Sequence, residues 1–396
     1  MNLTCPSSLF SEAFSEALIE TWGHFALRLH RRMALAASGA FPKKKYFRPS
    51  TVDQKQQVAA SNIQKNLSTV NSHREAMETA NCELRTANCD RKAIAFSHTP
   101  VLTQETINFL KPASGKIFFD GTLGGGGHAE LLLEAGARVV ACDRDPAALA
   151  HARERLARFG DRFIGFESNY AEAPARLAAM GFSQLDGILL DLGVSSHQLD
   201  TSERGFSFQK EGPLDMRMGR SGRTAADIVN TADVTELVKI FRDYGEEPRA
   251  LTFATRIVRE RQNQRITTTS QLASLLAKGL PTGPRHPATR VFQALRIAVN
   301  EEIHSLETAL PELATMLTPQ GRFAVITFHS LEDRIVKHFF KRHAAAEIDD
   351  PTWSAPKPNP EQLFNSSLPH SMVPNTAELL NNRRARSARL RMAEKI

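Results

Sequence analysis

Ile117-Phe118-Phe119-Asp120-Gly121-Thr122-Leu123-Gly124-Gly125-Gly126-Gly127-His128 runs from an apolar stretch through one acidic residue into a glycine-rich turn. Ala129 to Glu134 then carries helical periodicity, so the whole reads as strand, turn and helix. Glycines let a backbone turn sharply and approach a ligand, and the start of a helix supplies unpaired N–H groups. Nicotinamide-binding folds share such a turn. Two details point elsewhere. Asp120 ends the strand just before the glycines, and an unbroken run of four glycines and a histidine replaces the spaced G-x-G-x-x-G fingerprint.

A second apolar run, Arg138-Val139-Val140-Ala141-Cys142, ends at Asp143-Arg144-Asp145, about twenty residues beyond the glycines, where a carboxylate can accept both hydroxyls of a ribose. Nucleotide and S-adenosylmethionine binders share that position. The competing reading makes Asp143 a helix cap, a part that suits Asp145 better because the helix begins near Pro146. Phe163-Ile164-Gly165-Phe166, Gly187-Ile188-Leu189-Leu190 and Phe323-Ala324-Val325-Ile326 are further buried strands, with a helical pattern from Pro146 to Phe159. This alternation predicts a parallel sheet covered on both faces. Asp191-Leu192-Gly193-Val194-Ser195-Ser196-His197-Gln198-Leu199 follows the fourth strand, at the carboxyl edge where doubly wound sheets place ligands.

The alternation stops after Asp191 and resumes at Arg322. Thr224 to Lys278 shows helical periodicity, with capping candidates at Thr224, Thr235 and Thr269, so a helical subdomain is inserted into the sheet domain. The organisation expected is a sheet domain over 96–203 and 291–396, with a helical substrate-recognition subdomain over 204–290. Asp349 to Asn382, rich in Pro, Asn and Ser, reads as a loop, and Arg383 to Arg391 as a final strand flanked by phosphate contacts.

Between Glu20 and Glu75 the only acidic residue is Asp53, against ten lysines and arginines. Residues 1–95 are read as a disordered or targeting extension, or as a start assigned too early with Met77 as the true beginning. The chain of 396 residues, 41% hydrophobic, can bury a sizeable core, and its net charge of +7 suits a polyanionic partner. Cys5, Cys82, Cys89 and Cys142 form no C-x-x-C pair, which argues against a disulfide framework or structural zinc. No apolar run reaches the length of a membrane span.

Nine strings, in order, then carry a resemblance: His98-Thr99-Pro100-Val101-Leu102, Asp120-Gly121-Thr122, Gly126-Gly127-His128, Asp143-Arg144-Asp145, Gly187 to Ser196, Glu203 to Phe208, Gly212 to Met218, His286 to Arg296, and Phe328-His329-Ser330-Leu331-Glu332-Asp333-Arg334. From about His98 to Lys395 the chain resembles the ribosomal small-subunit RNA (cytosine-N4)-methyltransferase family. The resemblance implies an α/β fold, a class I (Rossmann-like) methyltransferase sheet domain with an inserted helical subdomain. The implied activity is methylation of the exocyclic N4 of one cytidine in 16S-type ribosomal RNA, with S-adenosylmethionine as donor. Gly126, Gly127 and His128 are implied to hold the methionine end, Asp143 the ribose, Tyr170 the adenine, and Asp191 and Gln198 the remaining contacts. Family members often carry Arg near Gly125, Phe for Tyr170 and Pro for His197. Tyr170 keeps a stacking face; the other two departures put local contacts in doubt.

Cytosine N4 is a poor nucleophile because its lone pair is delocalised, so most of the catalysis is expected from positioning and electrostatics. Asp191, Ser195 and Ser196 are the nearest acceptors for the amine, and His329 and Asp333 are further candidates to face the base. Ser330, with Asp333, is otherwise a helix cap. Phe206 and Phe208 are candidates to sandwich a flipped base, or else core residues. His286, Arg290 and Arg296 read as phosphate or active-site contacts, or as a solvated helix face. The partner implied is small-subunit ribosomal RNA within the assembled subunit, with no metal and no membrane, and with self-association into a homodimer left open. The expected compartment is the cytoplasm, or the mitochondrial matrix if the extension is a transit peptide. Three rivals stand beside this reading: a nicotinamide dehydrogenase, a DNA amino-methyltransferase lacking its usual Pro-Pro-aromatic segment, and a non-catalytic ribosome-assembly factor.

Overall fold

The computed structural model describes residues 100–281, 283, 286–349, 352, 355–366 and 371–396. Residues 1–95, with their expected extension, lie outside the described residues, as do His98, Thr99 and the side chain of Arg383.

The apolar runs become β1 (Ile117–Asp120), β2 (Arg138–Asp143), β3 (Phe163–Glu167), β4 (Leu185–Asp191) and β5 (Leu317–Thr327). With β6 (Ser371–Met372) and β7 (Arg389–Glu394) they form one sheet in the order β3-β2-β1-β4-β5-β7-β6. Pairing is parallel from β3 through β5, while β7 runs antiparallel to β5 and to β6. Phe118, Val139, Leu189 and Ala324 are buried in one core, and their neighbours Phe119, Val140, Leu190 and Val325 in another. A sheet covered on both faces buries both sets of alternating side chains, which is why the strands are continuous apolar runs. The α/β class I sheet is therefore present as expected.

On the first face lie α1 (Thr103–Leu110), α2 (Gly127–Glu134) and α3 (Pro146–Leu156), which contribute Leu110, Leu132 and Leu156. The second face receives Leu177 from α4 (Ala173–Ala179). Between β4 and β5 the chain leaves the sheet as α5 (Ser196–Asp200), α6 (Ala225–Thr231), α7 (Val234–Asp243), α8 (Ala250–Arg261), α9 (Thr269–Ala277) and α10 (Ala288–Asn300). These helices gather a core of their own around Leu237, Phe241, Phe253, Leu272 and Val291. That core runs on to Leu295, so the packed insertion includes α10 and passes the expected boundary at residue 290. The next helix, α11 (Glu302–Met316), returns to the sheet with Leu306, Leu310 and Leu313, and α12 (Ser330–Ala344) follows with Val336 and Phe340.

Capping departs from expectation at three helices. Thr224 caps α6 in a capping box with Asp227, but Asp233 caps α7 in place of Thr235, and Thr268 caps α9 in place of Thr269. In both cases the third helical residue decides, because Glu236 and Gln271 place their N–H groups against the earlier side chain. At α12 the cap is His329, whose Nδ1 accepts the Glu332 N–H, and not Ser330. The segment read as a loop, Asp349 to Asn382, contains β6 and α13 (Thr376–Asn381).

Asn300 fastens the end of α10 to the segment that precedes α6. Its Oδ1 accepts the Met218 N–H at 2.8 Å, and its Nδ2 donates to the Met216 and Arg296 carbonyls, each at 2.8 Å. Arg144, beyond β2, donates to the Asn300 carbonyl. Asn300→Ala would leave buried main-chain groups unsatisfied at about 1–3 kcal/mol each, so a loss of about 2–4 kcal/mol is expected in denaturant unfolding. A loss below about 1 kcal/mol would show that the joint is held elsewhere.

Candidate active site

The order of the sheet places its switch point between β1 and β4, and the strands on either side end in carboxylates: Asp120 on β1, Asp143 on β2 and Asp191 on β4. Two adjoining clefts open at this edge, sharing Thr122, Leu192 and Gly193 as a common wall. One cleft holds Asp143, Tyr170 and Gln198; the other holds Gly127, His128, Asp191, Ser195 and Ser196. Of the side chains expected from sequence, these two clefts bring together His128, Asp143, Tyr170, Asp191, Ser195, Ser196 and Gln198.

The glycine turn is shaped by close approach. Gly126 caps α2 at φ +77°, in the left-handed region, and a Cβ on Gly127 would lie 2.4 Å from Pro100 Cγ. Gly126 itself faces Leu156 and Ala152 and lines neither cleft, so its part is to shape the turn. Asp143 accepts the Gly124 N–H at 2.7 Å and the Asp145 N–H at 2.8 Å, which fixes the carboxylate across the turn. Asp145 caps α3 through Ala147 N–H, as expected, and is also buried against Gln198 Nε2 at 2.9 Å and the Arg204 guanidinium. Gln198 is thereby a tether between β2 and α5: its Oε1 accepts the Ser195 N–H while Ser195 Oγ accepts its own N–H. Ser195 is the N-cap of α5 as well as a cleft residue.

Asp191 is held by its backbone, whose N–H donates to Thr122 Oγ1 at 2.6 Å. Its Oδ2 lies 3.7 Å from His128 Nδ1, and its Oδ1 is buried with no hydrogen-bond partner among the described residues. His128 Nε2 is 3.2 Å from the Val101 carbonyl, an acceptor, so that nitrogen carries a proton and Nδ1 is left facing Asp191. Tyr170 is packed so that burial pushes its hydroxyl far above the usual phenol range.

Burial dominates the titration of this edge. It raises Asp120 to about 7, with Asp143 adding repulsion against the Thr122 N–H bond, and raises Asp143 to about 6 against the N–H bonds it accepts. Asp191 is pushed well above the carboxylate range by burial, then by Asp120 and Glu332. Among the described residues no lysine or arginine pairs with any of the three. A site with an orphaned carboxylate oxygen and three unneutralised acids is complementary to a cation, and the sulfonium and ammonium of S-adenosylmethionine fit that demand.

Other expectations need correction. His329 lies outside both clefts: its Nε2 is 3.0 Å from Glu332 Oε1, and its ring caps α12, which removes it from the reacting amine. Asp333 is taken by Arg391 at 2.8 and 2.9 Å and does not face the site. Arg391 and Arg389 serve that pairing, so these two arginines of the C-terminal strand are structural, whereas Arg384 ahead of it lines a cleft. Phe206 and Phe208 belong to the helical core, with Phe208 against His286 and Phe292 at 4.7 and 4.9 Å. Arg296 makes a two-pronged pair with Glu302, at 2.9 and 2.7 Å, and Arg290 donates to the Glu246 carbonyl. Sequence reasoning missed Thr122, Glu302, Glu332, Phe328 and Arg384 as lining residues. Thr122, Phe328, Glu332 and Arg384 lie within stretches that the sequence marked, whereas Glu302 had no local signal.

Raised carboxylates make stability depend on pH in an unusual sense. A folded pKa of about 7 against 3.8 means that Asp120 destabilises the fold once ionised, so its contribution improves as pH falls through 7 towards 4. Asp120→Asn should therefore gain stability relative to the parent as pH rises from 5 to 8, by about 3 kcal/mol at most. Parallel unfolding curves for the two proteins across that range would contradict the assignment.

The MraW methylase family model matches residues 95–396. A protein of Anaeromyxobacter sp. (strain K) named ribosomal RNA small subunit methyltransferase H is 47% identical over 305 residues, 76% of this chain and 98% of that protein. One of the same name from Carboxydothermus hydrogenoformans is 48% identical over 309 residues, 76% of this chain and 98% of its own length. A solved structure of an rRNA methylase from Streptococcus thermophilus aligns with a TM-score of 0.36 at 11% identity, covering 76% of this chain and 99% of that one. With its glycine turn, acidic strand ends and helical insertion all within the matched residues, the chain belongs to the MraW methylase family.

Proposed function

We propose that this chain methylates the exocyclic N4 of a cytidine in small-subunit ribosomal RNA, with S-adenosylmethionine as donor. The observation that carries this reading is the near-complete coverage, at 47–48% identity, of relatives named ribosomal RNA small subunit methyltransferase H. Asp191 supports it from the geometry, being a buried acceptor with a free oxygen at the edge where a cationic donor fits.

When bound, S-adenosylmethionine supplies a methyl group on a positively charged sulfur, which leaves as a neutral thioether. Asp143, Tyr170 and the main chain of the glycine turn would hold its nucleoside part, and Gly127 and His128 its methionine part. A cation beside Asp191 opposes the burial that raises its pKa and so favours the ionised form. Ionised Asp191 Oδ1 then accepts one N4 hydrogen, draws the nitrogen lone pair out of the ring and takes up the proton that N4 must lose. The Val101 carbonyl fixes the His128 ring with Nδ1 towards Asp191. Ser195 and Ser196 offer further acceptors on the same wall.

The substrate is proposed to be the RNA as presented by the assembled small subunit, reached by a chain of net charge +7. The compartment is proposed to be the bacterial cytoplasm, or the mitochondrial matrix if residues 1–95 serve as a transit peptide. Small subunits lacking the modification, incubated with labelled donor, should take up label at one cytidine N4. Absence of transfer to RNA by the folded chain would favour an assembly factor that kept the fold. Asp191→Asn should slow single-turnover methylation about 10²-fold with the melting temperature unchanged or raised, since a raised buried charge is removed. A rate within threefold of the parent at saturating donor would make Asp191 a binding residue alone.

A further inference from the structure

We propose that Phe328 and Arg384 receive the target nucleotide, Phe328 by stacking on the cytosine ring and Arg384 by binding a phosphate beside it. The inference rests on the reading of this chain as an RNA methyltransferase. Both residues line the cleft that holds Asp191, yet they come from separate segments: Phe328 from the loop after β5, and Arg384 from the turn before β7.

A nucleobase whose exocyclic nitrogen reacts must leave its stack, and an aromatic face compensates for part of that loss. The two phenylalanines that sequence offered are consumed by the helical core. Phe328 also packs partly against the sheet core, but it is half-buried and is the one aromatic carbocycle on the described wall of the cleft. Its ring lies against Gly193, where a Cβ would sit 3.7 Å from Phe328 Cδ2. Gly193 lines both clefts, which puts the ring beside the wall that the two share.

Arg384 stands at the rim, 41% exposed, with Nη2 donating to both oxygens of Asp200 at 2.9 and 3.0 Å. Asp200 is itself 55% exposed, and an exposed pair of this kind contributes little to stability. It does fix the guanidinium in place, while Nε and Nη1 donate to nothing among the described residues. A planar fork held at the mouth of a cleft with donors to spare is suited to a phosphate oxygen. Asp200 ends the short helix α5 that starts at Ser196, so the same element presents the cleft wall and anchors the arginine.

The test uses the full chain and unmodified small subunits. Wild-type transfer is measured first; its absence would reject the RNA methyltransferase reading and leave the present proposal without a reaction. Given wild-type transfer, Phe328→Leu should lower the single-turnover rate at saturating subunit by tenfold or more, and Phe328→Tyr should stay within threefold. Donor affinity by calorimetry and melting temperature should be unchanged in both. Arg384→Ala should raise KM for the subunit about tenfold at constant kcat, and flatten the log–log salt dependence by about one unit. Phe328→Leu with wild-type kinetics, or with losses that track donor affinity or melting temperature, would overturn the stacking role. An unchanged KM and salt slope for Arg384→Ala would overturn the phosphate role.

Discussion

Three carboxylates at the ends of β1, β2 and β4, desolvated and without a lysine or arginine partner among the described residues, are the constraint to which the rest of this structure answers. Such groups are costly to hold, and each is kept in place by the backbone: Asp120 by the Thr122 N–H, Asp143 by the Gly124 and Asp145 N–H groups, Asp191 by its own N–H on Thr122. Glycine enters for the same reason. The turn after β1 must bring main-chain N–H groups to Asp143, and Gly127 must pass against Pro100 where no side chain fits.

Outside the carboxylate edge the charges are satisfied and serve architecture. Asp145 gathers the α3 cap, Gln198 and Arg204, and Arg204 also donates to the carbonyls of Arg217 and Met218 at 3.0 and 2.9 Å. That single buried acid therefore joins β2, α5 and the entry to the helical insertion. Glu332 behaves in the opposite sense to the site acids. Burial pushes it up, but His329, Arg296 and the Phe328 N–H together hold it below the usual range. The contrast separates acids that await a cation from acids that already have one.

Much of this was legible in the sequence, because β1, β2 and β4 are runs of apolar residues that end in Asp, and because a glycine turn between strand and helix marks a ligand edge. The pattern of Asp191 to Gln198 also marked its cleft, although it did not reveal that Gln198 and Ser195 spend their polar atoms on each other. What could not be read were residues whose role arises from distant pairing. Glu302 reaches the site only because Glu301, at φ +50°, turns the chain between α10 and α11, and Arg384 only because β7 docks antiparallel on β5. His329 looked like a reactive group since histidine is rarely a cap, and nothing local announces that Glu332 three residues on will accept its ring. The packing of α10 was hidden for a related reason: a helix groups with whatever its apolar face meets, and α10 presents Val291 and Leu295 to the insertion.

The helical insertion also bears on how the chain acquires its shape. β4 and β5 pair side by side, Leu190 opposite Val325, although Asp191 and Leu317 are separated by the whole insertion. Closing so long a loop from a random coil carries an entropic cost that must be met before the strands can zip, and topologies dominated by such pairings nucleate slowly. The insertion packs around contacts between neighbouring helices, with a core separate from those of the sheet. Collapse of that local unit first would draw the two strand ends together and shorten the effective tether between them.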